Sequence, residues 1–324
     1  MKTITIFSLS LLLFISSCSK DDATVEPTSP ETMYFPPNTN PTWETKSISS
    51  LNWNQNAIQP LKDFLIQKNT KSFMILVNGR IVMEEYFNGH TSTDTWQWNS
   101  AGKTLVGTTT GIAQQEGLLD YNTKVSHYLG EGWTNTPLAK ENLINSKHLL
   151  TMTSGLNDQN QLVIPSNLTY LADAGTRIGM DGFWNNGVIF KIYHSNTRSM
   201  ARFGLLALNK GKWNNEVIIN ETFFNESINS SQSINPSYGY FWWLNGKTSS
   251  MIPGGQEVYP GSLVSNAPAD MYAAMGASDQ RIYVIPSKKM VVIRMGDASD
   301  PSNPNFAVSG FDNELWSKIN AVIN

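Results

Sequence analysis

Apolar residues follow two different periods along the chain, and these periods predict the order of its elements. Residues 72–89, SFMILVNGRIVMEEYFNG, contain two apolar runs around Asn78 and Gly79, a dipeptide that suits the tight turn of a β-hairpin. From Ser100 to Leu119 the apolar residues Leu105, Ile112, Ala113 and Leu119 fall on one broad face, which predicts a helix. Residues 197–213 repeat this helical period and end close to Gly211.

The last third of the chain contains short apolar segments that predict strands. They are residues 238–244, 281–286 and 290–296, and a closing helix is predicted from about Asp312 to Ile323. Strands at both ends with helices between them indicate one sheet built from the two termini, with a mainly helical insertion. We therefore expect one domain of mixed α and β structure over residues 48–324.

The first 18 residues, MKTITIFSLSLLLFISSC, have the layout of an export signal, with a basic residue, a short apolar run and small residues before Cys18. The run is too short to span a bilayer comfortably. ISSC resembles a bacterial lipobox, which implies that Cys18 becomes a lipidated N-terminus; a simple signal peptide with an incidental cysteine is the alternative. Lipidation predicts an exported protein anchored to the membrane of the cell envelope, with the outer-membrane surface suggested by SKDD (19–22).

Residues 19–47 contain five prolines among threonine, serine and asparagine, which is typical of a semi-extended tether. The folded domain is therefore expected to begin near Ser47.

A net charge of −3 argues against a nucleic-acid partner. The four histidines are scattered, so no zinc site is predicted, and no glycine-rich phosphate loop or other cofactor motif occurs. No cysteine follows Cys18, which excludes disulfides and a thiol nucleophile in a processed chain.

The segment WNSAGKTLVG (98–107) places Ser100 and Lys103 one helical turn apart. Residues i and i+3 share a face of a helix, so the lysine can reach the serine hydroxyl. A serine hydroxyl is a poor nucleophile at neutral pH and needs an adjacent base, and a neutral lysine can be that base. Backbone N–H groups at the helix N-terminus would stabilise an oxyanion. By itself the spacing fits a serine N-cap beside an exposed lysine better.

The residues around Ser100 and Lys103 favour the nucleophile and base over the serine N-cap. WNSAGKTLVGTTTGIAQQEGLLDYNTKVSHYLG, followed by ENLINSKHLLTMTSGL, resembles the serine β-lactamase and penicillin-binding-protein superfamily, and is most similar to class C β-lactamase-like esterases, D-aminopeptidases and amide hydrolases. The resemblance continues through SMARFGLLALNKGKW, YGYFWWLNG and RIYVIPSKKMVVI. It implies a β-lactamase/transpeptidase-like α/β fold, with a central antiparallel sheet flanked by helices beside a shortened all-helical subdomain. It also implies that Ser100 is the nucleophile and Lys103 its base.

Two other family motifs are altered. Tyr-x-Asn, whose tyrosine relays a proton to the leaving group, occurs only at 86–88 in the predicted hairpin, upstream of Ser100. LTYLADAGTR (168–177) runs straight into IGMDGFW, so the segment that carries this motif in relatives is expected to be missing. Tyr193, in IYHSN, is a candidate substitute, although a helix entry capped by Ser195 or Asn196 is the plainer interpretation.

The third motif, a strand with Lys-Thr-Gly or His-x-Gly in relatives, is best matched by AAMGASDQRIYVIP (273–286). The resemblance implies that Gly276 lets substrate approach the strand, and that an N–H near Gly276 or Ala277 completes an oxyanion hole. Arg281 is either a cation that replaces the missing lysine or a surface charge. Trp243 is a candidate for lining an acyl pocket, with a core position as the alternative.

These observations predict a serine hydrolase that cleaves a small ester, amide or peptide-like substrate through an acyl-enzyme at Ser100, without a metal or an organic cofactor. A catalytically impaired relative that keeps the fold for a binding or scaffold role is the second hypothesis. The intact Ser-x-x-Lys context favours the hydrolase, and the missing Tyr-x-Asn favours the second.

Overall fold

The computed structural model of the chain describes residues 31–38, 41–156, 180–185, 188–253, 257–303 and 308–324. The helices in these ranges are α1 (Ile58–Gln67), α2 (Lys103–Gln115), α3 (Val125–Leu129), α4 (Leu138–Glu141), α5 (Ser146–Leu150), α6 (Thr197–Leu208), α7 (Glu221–Ser227) and α8 (Gly310–Ile323). None of the helices within the described ranges is long and apolar enough to cross a membrane.

The strands include six that form one antiparallel sheet in the order β2-β1-β13-β12-β11-β8. The strands are β1 (Thr70–Val77), β2 (Arg80–Tyr86), β3 (Trp96–Gln97), β4 (Met180–Asn185), β5 (Val188–Ser195), β6 (Lys212–Trp213), β7 (Glu216–Val217), β8 (Trp243–Leu244), β9 (Ser249–Ser250), β10 (Tyr259–Pro260), β11 (Tyr272–Gly276), β12 (Gln280–Ile285) and β13 (Met290–Gly296). The N-terminal β1 pairs with the C-terminal β13, which confirms the prediction of a sheet assembled from both ends of the chain.

The predicted hairpin is confirmed as β1 and β2, and its turn is formed by Asn78 and Gly79, both with a left-handed φ. A side chain at Gly79 would lie only 1.8 Å from the carbonyl oxygen of Tyr34, because the N-terminal segment crosses this turn. The indole N–H of Trp43 donates to the Gly79 carbonyl oxygen over 2.7 Å. The compact unit therefore begins at Met33, earlier than the expected boundary near Ser47, since aromatic residues within the proline-rich stretch pack on the fold.

Helices cover both faces of the six-stranded sheet. On one face α6 places Met200 and Leu205 in a core with Ile293 of β13. On the other face α1 and α8 contribute Leu61 and Trp316 to a second core. The antiparallel sheet with flanking helices is the arrangement expected of a β-lactamase-type fold, and the predicted helical insertion is present as α2 and the short helices α3 to α5.

One predicted strand is much shorter than expected. Residues 238–244 were expected to form a strand, but only Trp243 and Leu244 pair with β11. Tyr238 instead forms an isolated bridge with Trp243, and Phe241 adopts a left-handed φ of 63°. The aromatic run is therefore folded back on itself, which apolar alternation alone does not reveal.

Candidate active site

The candidate nucleophile lies where β3 leads into α2. Asn99–Gly102 form a single 3-10 turn, and Lys103 continues it as the first residue of α2. Residues three apart are eclipsed in a 3-10 turn, so the two side chains lie on the same side. Lys103 Nζ donates a hydrogen bond of 2.7 Å to Ser100 Oγ. The structure thus brings together the two groups that the sequence paired, and their catalytic roles stay a prediction.

The ammonium group of Lys103 lies in surroundings that weaken its hold on a proton. Lys103 is an exposed residue, yet protein atoms around its ammonium group partly desolvate it. Desolvation disfavours the charged form and lowers the pKa of Lys103, and no carboxylate among the described residues opposes the shift. A lysine with a lowered pKa is easier to deprotonate, which is what a general base needs.

The residue before the serine ties the nucleophile turn to β11. Asn99 has a left-handed φ of 48°, a conformation that asparagine tolerates better than most residues. Its side-chain Nδ2 donates to the carbonyl oxygen of Ala277 over 2.8 Å. This contact fixes the end of β11 beside the turn that carries Ser100. Nothing in the sequence pattern singled out Asn99.

Gly276 is the last residue of β11, and the structure explains why a side chain there is excluded. A Cβ at this position would lie 2.4 Å from the carbonyl oxygen of Trp98 and 3.0 Å from the backbone nitrogen of Ser100. The close approach that glycine permits is therefore that of the nucleophile turn itself, whereas the sequence suggested the approach of substrate. Gly276 lies directly beside the Ser100 backbone, and Ala277 is joined to the same turn through Asn99. An oxyanion hole formed by N–H groups of both segments would need this neighbourhood.

Tyr193 also lies next to the nucleophile turn. Its carbonyl oxygen accepts from the backbone N–H of Trp98 over 2.9 Å, and its ring packs edge-on against the Trp98 indole. Its Cβ is 3.7 Å from the position that a Cβ of Gly102 would take. In the described part of the chain the Tyr193 hydroxyl has no hydrogen bond, so its assignment as a proton donor stays a prediction.

The expected helix entry is present as well: Asn196 caps α6 by accepting from the backbone N–H of Ser199. Ser195 Oγ accepts from the Trp98 indole N–H over 2.9 Å. The segment IYHSN therefore both begins α6 and supports the strand before Ser100. Neither Ser195 nor Asn196 is free to contact a substrate through these groups.

Trp243 is 6% exposed and belongs to the core on the α1 and α8 face of the sheet. It nevertheless lines a cavity of about 380 Å³, together with Tyr238, whose ring it meets edge-on. Neither Ser100 nor Lys103 lines this cavity. The core interpretation and the pocket interpretation of Trp243 are thus both consistent with its position.

Arg281 is neither of the two things that the sequence suggested. It is fully buried and forms a bidentate pair with Asp312 of α8, at 2.6 and 2.9 Å. It also donates to Asp279 over 2.9 Å and to the carbonyl oxygen of Gly276 over 2.8 Å. A guanidinium held in this way cannot reach substrate, and it is not a surface charge. Its acidic partner in α8 is 31 positions away, which explains why strand alternation alone misassigned it.

Cys18 and the segment LTYLADAGTR lie outside the described residues. Met152, the residue before the TSG loop, is 62% exposed with a left-handed φ of 58°. Among the described residues no group of histidine, cysteine and carboxylate side chains could hold a metal ion.

A comparison with protein families matches part of the chain. Residues 65–174 match the family model described as Beta-lactamase, and this range includes Ser100, Lys103 and the TSG loop. The predicted resemblance to the serine β-lactamase and penicillin-binding-protein superfamily is confirmed, and so is the predicted fold. No curated protein matches the chain.

Solved structures share the fold over nearly the whole chain. A Bacillus anthracis protein provisionally assigned as a 6-aminohexanoate-dimer hydrolase has a TM-score of 0.54 at 17% identity, covering 90% of this chain and 89% of its own. A β-lactamase from Sulfitobacter sp. EE-36 has a TM-score of 0.53 at 11% identity, covering 85% and 98%. A class C β-lactamase mutant reaches 0.50 at 14% identity, covering 84% and 97%. At these identities the likeness concerns the fold alone.

Proposed function

We propose that this protein is a serine hydrolase of the β-lactamase-related type that cleaves a small ester or amide through an acyl-enzyme at Ser100. The observation that carries the proposal is the hydrogen bond of 2.7 Å between Lys103 Nζ and Ser100 Oγ. It joins a hydroxyl that needs a base to a lysine whose pKa is lowered by desolvation. The family match over the same residues supports this interpretation.

In the proposed reaction the neutral Lys103 takes the hydroxyl proton as Ser100 Oγ attacks the substrate carbonyl. The resulting oxyanion accepts from the backbone N–H of Ser100 and from the N–H of Ala277, which are held together by the contact of Gly276 with the nucleophile turn. The tetrahedral intermediate collapses and expels the alcohol or amine, which takes up the proton that Lys103 received, so that Lys103 is neutral again and the acyl group stays on Ser100. Water then attacks the acyl-enzyme carbonyl as Lys103 accepts its proton. Lys103 returns this proton to Ser100 Oγ as the bond to the acyl group breaks, and the carboxylic acid is released.

The leaving group decides which substrates are favoured. An alkoxide or phenolate with a good leaving tendency departs with little protonation, whereas an amine needs a proton donor. Tyr193 is the candidate donor, because its ring packs beside the turn that bears Ser100, but its hydroxyl has no hydrogen bond within the described residues. We therefore infer that esters are better substrates than β-lactams or peptides.

The test compares a nitrophenyl ester with a chromogenic cephalosporin, using the wild-type chain and Ser100→Ala. We expect measurable ester hydrolysis that disappears in Ser100→Ala, and negligible cephalosporin turnover. If Tyr193 donates the proton, Tyr193→Phe slows the turnover of an ethyl ester, whose leaving group needs protonation, by about 10²–10⁴-fold, and slows that of the nitrophenyl ester much less. Efficient cephalosporin hydrolysis that survives Tyr193→Phe would show that another donor operates. An ester rate equal to that of Ser100→Ala would favour the non-catalytic binding role.

The proposed location is the bacterial cell envelope, with the chain held on a membrane by a lipid at Cys18. The short apolar run before this cysteine and the proline-rich residues that follow it support the proposal.

A further inference from the structure

The peptide group between Gly276 and Ala277 is held from its carbonyl side. The Gly276 carbonyl oxygen accepts a hydrogen bond of 2.8 Å from Nη1 of Arg281. The C=O and N–H of a trans peptide point in opposite directions, and no peptide bond among the described residues is cis. A donor that fixes the Gly276 carbonyl oxygen therefore also fixes the direction of the Ala277 N–H, which is the candidate second donor of the oxyanion hole.

Arg281 is itself held in one position. Its side chain is fully buried, and Nε and Nη2 bind the two carboxylate oxygens of Asp312, while Nη2 also donates to Asp279. Nη1 donates to the Gly276 carbonyl oxygen and, over a longer 3.1 Å, to that of Gln280. A charged donor in a dry interior makes a strong hydrogen bond, so the Gly276 carbonyl oxygen is bound firmly.

The backbone that follows β11 has an unusual course that side chains maintain. Ser278 and Asp279 have left-handed φ values of 57° and 58°, and residues other than glycine keep such a conformation only where their surroundings enforce it. The carbonyl oxygen of Ala277 accepts from Asn99, and those of Ser278 and Asp279 accept from Nη1 of Arg294. Four successive carbonyl oxygens, starting with the last residue of β11, are thus bound by side chains, and these bonds fix the direction of each peptide group.

This turn lies beside the candidate nucleophile. A Cβ on Gly276 would be 3.0 Å from the backbone nitrogen of Ser100, and the Ala277 nitrogen follows the Gly276 Cα by only two bonds. Gly276 is buried, whereas Ala277 and Ser100 are half-buried. The two N–H groups of the candidate oxyanion hole therefore belong to neighbouring residues that a substrate can reach.

We propose that Arg281 is a positioning residue for the reaction at Ser100: it binds the Gly276 carbonyl oxygen so that the Ala277 N–H stays directed at the oxyanion. The inference rests on the proposed function and adds a residue that acts on the reaction without touching the substrate. Donors that are already oriented lower the barrier, because they need no rearrangement while the oxyanion forms. Arg281 therefore contributes to the transition state and not to substrate binding.

The first experiment measures the hydrolysis of nitrophenyl acetate by Arg281→Lys. A single ammonium group keeps the charge but cannot bind Asp312 as a fork and reach the Gly276 carbonyl oxygen as well. We expect kcat to fall about tenfold to a hundredfold with KM nearly unchanged, since the loss of a whole oxyanion-hole donor costs about 10²–10³-fold.

The control is Leu315→Ala, which opens a cavity in the packing of α8 and removes no hydrogen-bond partner of Arg281. Its kcat should match that of wild type although the fold is destabilised. A wild-type kcat in Arg281→Lys, or an equal fall of kcat in both variants, would overturn the proposal.

A second variant serves if Arg281→Lys does not fold. Arg281→Met combined with Asp312→Asn removes the buried charge pair as a unit, a change that proteins often tolerate. The double variant also leaves the Gly276 carbonyl oxygen without its donor, so we expect the same fall of kcat at nearly constant KM. A kcat equal to that of wild type would overturn the proposal.

Infrared spectroscopy reports on the oxyanion hole directly. Nitrophenyl trimethylacetate, isotopically labelled at its carbonyl carbon, acylates Ser100, and the carbonyl band of the acyl-enzyme moves to lower frequency when its oxygen accepts hydrogen bonds. Ala277→Pro removes the donor N–H itself. Proline suits this position, because Gly276 before it is extended, with a ψ of 160°, and Ala277 has a negative φ. We expect the band of Arg281→Lys to move from the wild-type frequency towards that of Ala277→Pro, and the band of Leu315→Ala to stay at the wild-type frequency.

The outcomes separate the failures of the two proposals. A wild-type acyl-enzyme on Ser100, with Arg281→Lys at the wild-type band frequency and kcat, would overturn the role of Arg281 and leave the proposed function intact. The absence of any acyl-enzyme on Ser100 of the wild type would overturn the proposed function, and the role of Arg281 with it.

Discussion

Ser100 and Lys103 carry the candidate chemistry at the scale of single residues, and their contact depends on the 3-10 turn between them. The sequence predicts this pair because i and i+3 spacing fixes which side chains share a face. It does not predict Asn99, which has a left-handed backbone and donates to Ala277, a residue 178 positions away that directly follows β11. Local spacing therefore indicates the candidate reacting groups, while the residues that hold them are found only through tertiary contacts.

Lys103 makes the proposed reaction dependent on pH. Only neutral lysine accepts the serine proton, and the lowered pKa moves its deprotonation to a lower pH than that of an ordinary lysine. We expect kcat/KM for nitrophenyl acetate to rise with pH and to level off, with a midpoint below about 10.4, the value of an unperturbed lysine. Lys103→Ala should lose about 10²–10⁴-fold in rate.

The control for this profile is Lys140→Ala, which removes an exposed lysine of α4. The kcat/KM of Lys140→Ala and the midpoint of its pH profile should match those of wild type. A rate that does not change with pH, or a Lys103→Ala variant as active as wild type, would exclude Lys103 as the base.

At the scale of elements, the turn from β11 to β12 depends on a buried ionic cluster. Arg281 joins Asp279 and Asp312, and its remaining nitrogen donates to the Gly276 carbonyl oxygen. Burial alone would raise the pKa of Asp279, yet the Arg281 charge and the bonds from neighbouring serines lower it overall. The sequence predicts β12 and α8 as separate elements, but not the charge pair that joins them.

Breaking this pair should destabilise the fold far more than breaking an exposed one. Asp312→Asn leaves the buried Arg281 guanidinium without its full countercharge, so we expect the free energy of unfolding to fall by about 3–5 kcal/mol. Glu314→Gln is the matched control on the same helix, because its carboxylate pairs with Lys68 at the surface and should cost about 1 kcal/mol or less. Denaturant unfolding measures both. Equal losses in the two variants would contradict a structural role for the buried pair.

At the scale of the whole molecule, the sheet built from both termini follows from the position of the apolar segments. The residue at which the packed chain begins could not be predicted in this way. The proline-rich composition predicts a tether, whereas Tyr34, Phe35 and Trp43 have enough apolar surface to pack on the fold. The position of the cavity beside β8 could not be predicted from the sequence either, because its walls come from separate segments between residues 151 and 253 that meet only in the folded chain. Trp243 was proposed for such a pocket only from its aromatic character.

The anchoring of the molecule is tested at Cys18. The lipobox-like ISSC predicts that radiolabelled fatty acid enters the wild-type protein in a bacterial host and is absent from Cys18→Ala. Ser17→Ala is the control, since it preserves the cysteine and keeps a small residue before it. Equal labelling of wild type and Cys18→Ala, or release of unlabelled wild type into the medium, would contradict lipidation.

The central claim is that Ser100 is a nucleophile activated by Lys103, and covalent labelling tests it most directly. The full chain is treated with a fluorophosphonate probe, and the modified residue is located by mass spectrometry of its peptides. We predict a single adduct, on Ser100, that is absent from Ser100→Ala and forms much more slowly in Lys103→Ala. Undiminished labelling of Ser100→Ala, or no labelling of the wild type, would contradict the claim.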